Sequence, residues 1–321
     1  MAVYTEIGDE ELRAFVAQYD IGQVSSLIAI AEGVENSNYL LITDRDRYIL
    51  TIYEKRVRRA DLPYFLNLMT HLAARGVACP VPVAARDGVA LREIAGKPTA
   101  MVTFLKGVWP RRVWPEHCQA LGHALAALHL AGQDFTGARA NDLSVASWRG
   151  LFAPVAGRAD TVKAGLAGEL DGEIAALEAD WPEALPSGVI HADLFPDNVF
   201  FENNDLTGVI DFYFACDDFF AYDIAVCLNA WCFEPDGAFN ITKARHLLRA
   251  YRERRPFSPE ELDALPLLCR GAAMRFLLTR LVDWLTTPDN ALVKPKDPLE
   301  YLDKLRFHRA VSGPGEYGLD R

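Results

Sequence analysis

Asp193, Asn198 and Asp211 are the residues whose types and spacing could do chemistry. The first two stand five positions apart in His191-Ala-Asp-Leu-Phe-Pro-Asp-Asn198, and the third lies thirteen positions further on, behind the apolar run that ends Val209-Ile-Asp211-Phe. A carboxylate at Asp193 can align an acceptor hydroxyl and take its proton late in phosphoryl transfer. The amide oxygen of Asn198 is a neutral hard ligand and the Asp211 carboxylate a charged one. Such a pair suits Mg2+ held against a triphosphate. Taken singly, each has an ordinary reading: a turn aspartate, an asparagine bonding its own loop, a strand terminator. The joint spacing carries the functional one.

Several elements must position this trio. His191 precedes Asp193 by two residues and is read as a structural residue that holds the loop by hydrogen bonds. Asp223 opens a helix and is expected to anchor loop amides. Residues 33–38, Gly-Val-Glu-Asn-Ser-Asn, read as a turn between two strands, where Asn36, Ser37 and Asn38 could cover phosphates. The turn is neither GxGxxG nor a Walker loop. The strand Met-Val-Thr-Phe-Leu over 101–105 could offer the backbone of Phe104 and Leu105 to an adenine edge.

The wider pattern predicts a helix capped by Asp9, with Leu12, Phe15, Val16 and Tyr19 on one face. Strands are predicted over 24–31, 39–43 and 48–53, joined as an antiparallel meander. A helix over 61–75 follows, then a Pro-rich stretch and strands near Val83 and over 99–105. Lys106-Gly-Val-Trp-Pro110 reads as a linker between lobes. Beyond it the chain turns helical, over 116–130 and from 221 onward, interrupted by short strands between 188 and 211. The expected class is α+β with two lobes: 1–105, small and sheet-containing, and 106–321, larger and mostly helical, with the chemistry on an inserted β-hairpin.

Composition narrows the partners. The chain has 321 residues, 50% of them apolar, and a formal net charge of −11. An acidic surface disfavours nucleic acid and anionic membranes, while a local cationic pocket still permits ATP. Six cysteines (79, 118, 216, 227, 232 and 269) form no CxxC and no zinc spacing, as in reduced cytosolic proteins. No basic segment followed by an apolar stretch marks a signal peptide, and runs such as 225–233 are too short to span a bilayer. A soluble cytoplasmic protein is expected, and nothing in the sequence fixes its oligomeric state.

With these residues assembled, the chain resembles the homoserine kinase family of the aminoglycoside phosphotransferase/choline kinase superfamily, which has a protein-kinase-like fold. The resemblance runs nearly end to end. It rests on HxDxxxxN at 191–198 and Ile-Asp-Phe at 210–212, and is supported by Ala-Glu-Gly-Val-Glu-Asn-Ser-Asn-Tyr at 31–39, Tyr-Ile-Leu-Thr-Ile-Tyr-Glu at 48–54, Gly-Lys-Pro at 96–98, Phe-Leu-Lys-Gly at 104–107 and Asn-Ala-Trp-Cys-Phe at 229–233. It implies transfer of the ATP γ-phosphoryl group to the side-chain hydroxyl of L-homoserine, with Asp193 as base and Asn198 and Asp211 on Mg2+. One departure stands out. Thr51 occupies the third-strand slot where many superfamily members carry a phosphate-binding Lys or Arg. Lys55 is the nearest cation, and the helix over 61–75 offers no Glu to pair with such a group.

Two other readings stay open at this stage. One is a kinase of the same fold acting on an aminoglycoside, choline or another amino alcohol. The other is a non-catalytic nucleotide-binding module, against which the intact trio argues. A zwitterionic acceptor needs an anionic or carbonyl partner for its ammonium and a cation or backbone donors for its carboxylate. Asp217, Asp218, Asn229 and Glu234 could supply the first, and Arg275 and Arg280 the second, although each also reads as ordinary helix or loop charge.

Overall fold

The computed structural model describes residues 4–30, 36–54, 57–288, 291 and 294–319. Residues 33–35 of the expected phosphate-covering turn, and Lys55, lie outside the described residues.

Helix α1 (Asp9–Val16) leads into β1 (Val24–Ala29), β2 (Ser37–Thr43) and β3 (Arg47–Ile52). After α2 (Leu62–Ala74) come β4 (Leu91–Ile94) and β5 (Lys97–Thr103). The five strands form one antiparallel sheet in the order β1-β2-β3-β5-β4. Period-two alternation sorts its side chains. Tyr39, Leu41, Leu50, Ile52 and Met101 face α1 and pack with Leu12, Phe15 and Val16. Tyr53, Ala100 and Val102 face the other way, onto Phe65, Leu68, Met69 and Leu72 of α2. That second cluster runs on into the helices of the larger lobe. The small lobe is thus fixed to the large one through α2, at about 1.5–3 kcal/mol per fully buried large apolar side chain.

Two expectations need correction, and one strand has no counterpart among them. Asp9 is the first helical residue of α1, and Gly8 occupies the cap position. No strand forms at Val83; Pro82 makes an isolated bridge to Val102, and the Val83 N–H donates to Met101 O at 2.8 Å. Strand β4 was not foreseen. Leu-Arg-Glu-Ile is too short to show a period, and its two-residue turn uses Ala95 and Gly96 at φ 52° and 73°, a left-handed pair usually signalled by Asn-Gly.

The larger lobe contains α3 (Pro115–Ala131), α4 (Val145–Phe152), α5 (Ala156–Ala159), α6 (Leu166–Asp180), β6 (Ser187–Ile190), the hairpin β7 (Val199–Glu202) and β8 (Asp205–Val209), β9 (Cys216–Phe219), α7 (Phe220–Trp231), α8 (Ile241–Arg254), α9 (Pro259–Thr286) and α10 (Leu299–Ala310). Strand β6 pairs with β9, so the hairpin is an excursion between two strands of a small sheet. Helix α7 is buried on almost every side, which makes it the post on which the site rests. At the junction between lobes, Gly107 has φ 114°, and a Cβ there would meet Thr207 Oγ1 at 2.5 Å and Phe201 O at 2.9 Å. Only glycine fits this strap, which then pairs Val108 with Phe201. Among the described residues no helix is long and apolar enough to cross a membrane. All six cysteines are free and buried.

Candidate active site

Strand β6 ends at Ile190, and the chain turns sharply through Ala192, which sits at φ 63°. This left-handed residue lifts Asp193 out of an otherwise buried stretch; its side chain keeps 19% exposure, whereas His191 keeps none. The His191 ring bridges the site. Nε2–H donates to Ile210 O at 2.9 Å, and Nδ1 accepts from the Asp193 N–H at 3.3 Å. Acceptance at Nδ1 requires a neutral ring, and burial lowers its pKa in keeping with that. His191 therefore ties the Asp193 loop to the segment that enters Asp211, as the structural reading expected.

Asn198 closes the same loop. Its Nδ2 donates to Asp193 O at 2.8 Å and lies 3.5 Å from Asp193 Oδ2. With the nitrogen turned inward, the amide oxygen is left as the acceptor. The Ile210 N–H donates to Asn198 O at 2.9 Å, so the backbones leading to Asn198 and Asp211 run together. Asp211 is exposed and adopts φ 67°. Left-handed backbone is uncommon outside glycine, although Asp tolerates it better than most residues, and such residues cluster at functional sites. The three residues selected from sequence are thus joined by a short chain of hydrogen bonds. Among the described residues no group of three His, Cys, Asp or Glu side chains could hold a metal by itself. An amide oxygen and a carboxylate suit a hard cation that takes its remaining ligands from phosphate and water.

The loop is also held from below. Asp223, fully buried in α7, accepts the N–H groups of His191 and Ala192, both at 2.8 Å. It also accepts from His129 Nε2 at 3.1 Å, while His129 Nδ1 accepts from the Tyr251 hydroxyl at 2.7 Å. A neutral His129 beside an ionised Asp223 satisfies both of these bonds. Burial lowers the His129 pKa, and although burial opposes it, the bonds from His129 and the loop amides bring the Asp223 pKa down.

The opposite wall is the sheet of the small lobe. Asn38 and Thr51 lie on its cleft side: the Thr51 hydroxyl donates to Asn38 Oδ1 at 2.8 Å. Next along β3, the Tyr53 hydroxyl meets that of Tyr213 at 3.1 Å, two residues past Asp211. Tyr213 lies beside Thr51 and Asp211, and burial pushes its phenol up to about 12. Asn36 Oδ1 accepts from the Glu54 N–H at 3.3 Å. Ser37 points to the α1 side instead. It is fully buried, accepts from Tyr4 N–H (2.9 Å) and Thr5 N–H (3.1 Å), and donates to Glu54 Oε1 at 2.7 Å. Lys97 pairs with Glu54 in this same cluster. At the junction, the Phe104 N–H donates to Arg47 O at 3.3 Å.

The charges weighed for an acceptor wall divide. Asn229 is core, donating to Ala225 O and Cys269 O at 2.9 and 3.0 Å. Glu234 pairs with Lys243 at 2.7 Å and Arg280 with Glu300 at 2.6 Å. Asp217 accepts from the Arg139 N–H at 2.8 Å. Asp218 accepts from Asn141 Nδ2 at 2.7 Å, and burial raises its carboxyl. Arg275 comes to the loop itself, where Nη1 donates to Ala192 O. No motif announces Arg275, and only its place in the fold reveals the contact.

Residues 26–257 match the model of the Phosphotransferase enzyme family. The chain is 63% identical over 321 residues to a homoserine kinase of Rhodospirillum rubrum, covering 100% of both chains. It is 64% identical over 319 residues to a homoserine kinase of Xanthobacter autotrophicus, covering 99% of each. Among solved structures, an amicoumacin kinase in complex with AMP-PNP, Ca2+ and Ami aligns at a TM-score of 0.69 and 16% identity, covering 94% of this chain and 92% of that one. The architecture is the expected protein-kinase-like one, an antiparallel sheet lobe on a mostly helical lobe.

Proposed function

The chain belongs to the phosphotransferase enzyme family, and we propose that its reaction is the ATP-dependent phosphorylation of the L-homoserine side-chain hydroxyl, which gives O-phospho-L-homoserine for threonine biosynthesis. The observation that carries this reading is full-length identity above 60% to homoserine kinases, in a chain whose Asp193, Asn198 and Asp211 are joined in one site.

In this reading Asp193 orients the acceptor hydroxyl and takes its proton as the phosphoryl group arrives. The outward-turned oxygen of Asn198 and the exposed carboxylate of Asp211 would hold Mg2+. When bound with ATP, that ion neutralises charge on the β- and γ-phosphates. The backbone at Phe104 and Leu105 would receive the adenine. Asn36 and Asn38 would lie along the phosphates by their side chains, and Ser37 by its backbone alone. The partners are small molecules, and the cytoplasm is the compartment that supplies both of them.

The test is a coupled ADP-release assay across homoserine, serine, threonine, choline and kanamycin with Mg2+ and ATP. Homoserine should give the highest kcat/KM. A clear preference for any other acceptor overturns the substrate assignment, and no ADP release with any of them overturns the kinase assignment.

A further inference from the structure

Arg275 stands on α9, far from both motifs in sequence, yet it touches the first and reaches Phe214, two residues past the second. Its Nη1 donates to the carbonyl of Ala192, the residue immediately before Asp193. Its Nη2 lies 3.9 Å from Asp193 Oδ1. Its guanidinium lies against Phe276 at 4.6 Å and against Phe214 at 5.4 Å, three residues past Asp211. The side chain keeps only 2% exposure. Among the described residues Nε finds no hydrogen-bond partner.

A cation this deeply buried carries a desolvation cost that an apolar residue of the same length would avoid. It is offset here by Asp193 and by nearby Asp218. Packing therefore does not account for the charge, and the loop does. The peptide units around Ala192, at φ 63°, are gripped from two sides: Asp223 takes the N–H and Arg275 holds the C=O. An anion and a cation from two helices fix the direction in which the next side chain, Asp193, leaves the backbone.

We propose that Arg275 is a positioning residue for phosphoryl transfer, which locks the Ala192–Asp193 peptide and the Phe214 segment into one geometry and does not itself bind the acceptor. This rests on the kinase reading above, since Asp193 must be the base for its direction to matter. A base displaced by about 1 Å loses on the order of 100-fold in rate.

The experiment compares wild type, Arg275→Lys and Arg275→Met in steady-state assays with homoserine and Mg·ATP, with folding checked by circular dichroism. In Arg275→Met, kcat should fall about 100-fold, while both KM values stay within about threefold. Arg275→Lys should recover part of the loss, because the charge returns without the fork. A folded methionine variant with kcat near wild type overturns the proposal. So does a loss confined to the KM for homoserine, which would make Arg275 a substrate ligand, and so does failure of both variants to fold, which would make it purely structural. Wild type inactive with homoserine defeats the functional reading instead, and is recognised before any variant is made.

Discussion

The two walls of the cleft are built by different means. Below, the Asp193 loop hangs on buried charge. Asp223 takes two loop amides and a histidine N–H, and Arg275 takes a loop carbonyl. Above, the cleft side of β2 and β3 is joined by neutral groups: Thr51 to Asn38, and Tyr53 to Tyr213. Hydrogen bonds to charged groups are worth about 1.5–3 kcal/mol each, and neutral ones about 0.5–1.5. The lower wall is thus set before any substrate arrives. In the proposed reaction, the upper wall would leave more of the phosphate charge to be met by Mg2+ and by backbone amides.

The sharpest way to break this contrast is to remove the group that the lower wall presents. Asp193→Ala should reduce kcat by about 10²–10⁴ while nucleotide affinity persists, because the loop anchors remain. Turnover assays paired with titration of a nonhydrolysable ATP analogue check both halves, and unchanged turnover removes Asp193 as the base. Next in size is the anchor itself. Asp223→Ala leaves two buried loop N–H groups and the His129 Nε2–H unpaired, and should cost about 3–5 kcal/mol in urea unfolding. A cost under about 1 kcal/mol would mean the loop is held by something other than charge.

How much of this was legible in sequence follows the same division. Asp193, Asn198 and Asp211 could be picked out because local spacing carries them, and Asp223 because it opens a helix soon after. The strands of the meander were visible from their period, whereas β4 was hidden by its length and by a turn without Asn-Gly. In sequence Arg275 shows only as a late-helix cation suited to an acceptor carboxylate. Its partner lies 83 residues away across the packing of α9 on the loop, and no periodicity encodes that. Ser37 shows the opposite fault: its type suited a phosphate turn, but strand alternation sends the side chain to the α1 face.

A third prediction concerns acid. His129 and His191, both beneath the loop, have pKa values lowered by burial, and His308 in α10 is lowered to about 3 by burial and by nearby Lys304. Each is neutral when folded but takes up a proton when unfolded near pH 6.5. The unfolded state therefore binds more protons below that pH, and stability falls as pH drops. His129 faces Asp223, Arg255 and Glu261, while His191 faces Asp223 and Arg275. The loss between pH 7 and 5.5 should be about 1.2 kcal/mol for His308, and His129 and His191 add to it in the same direction. Asp223, whose folded pKa is depressed, adds its own loss only as pH falls below about 4. A stability curve flat from pH 7 to 5.5 would show these rings charging in place.

The smallest effect belongs to the upper wall. Thr51→Val keeps the shape and removes the hydroxyl that donates to Asn38 at 2.8 Å. Thr51 is only 5% exposed, so the lost bond is not replaced by water, yet it is neutral at both ends and should cost about 1 kcal/mol. Because Asn38 then loses its restraint, the KM for ATP should rise by no more than about fivefold, and kcat should stay near wild type. Steady-state kinetics on this variant, set beside Asp223→Ala, measures the contrast between the walls directly. If Thr51→Val cut kcat as deeply as the loss of a loop anchor, the sheet side would be part of the rigid catalytic frame, and the division between charged and neutral support would fall.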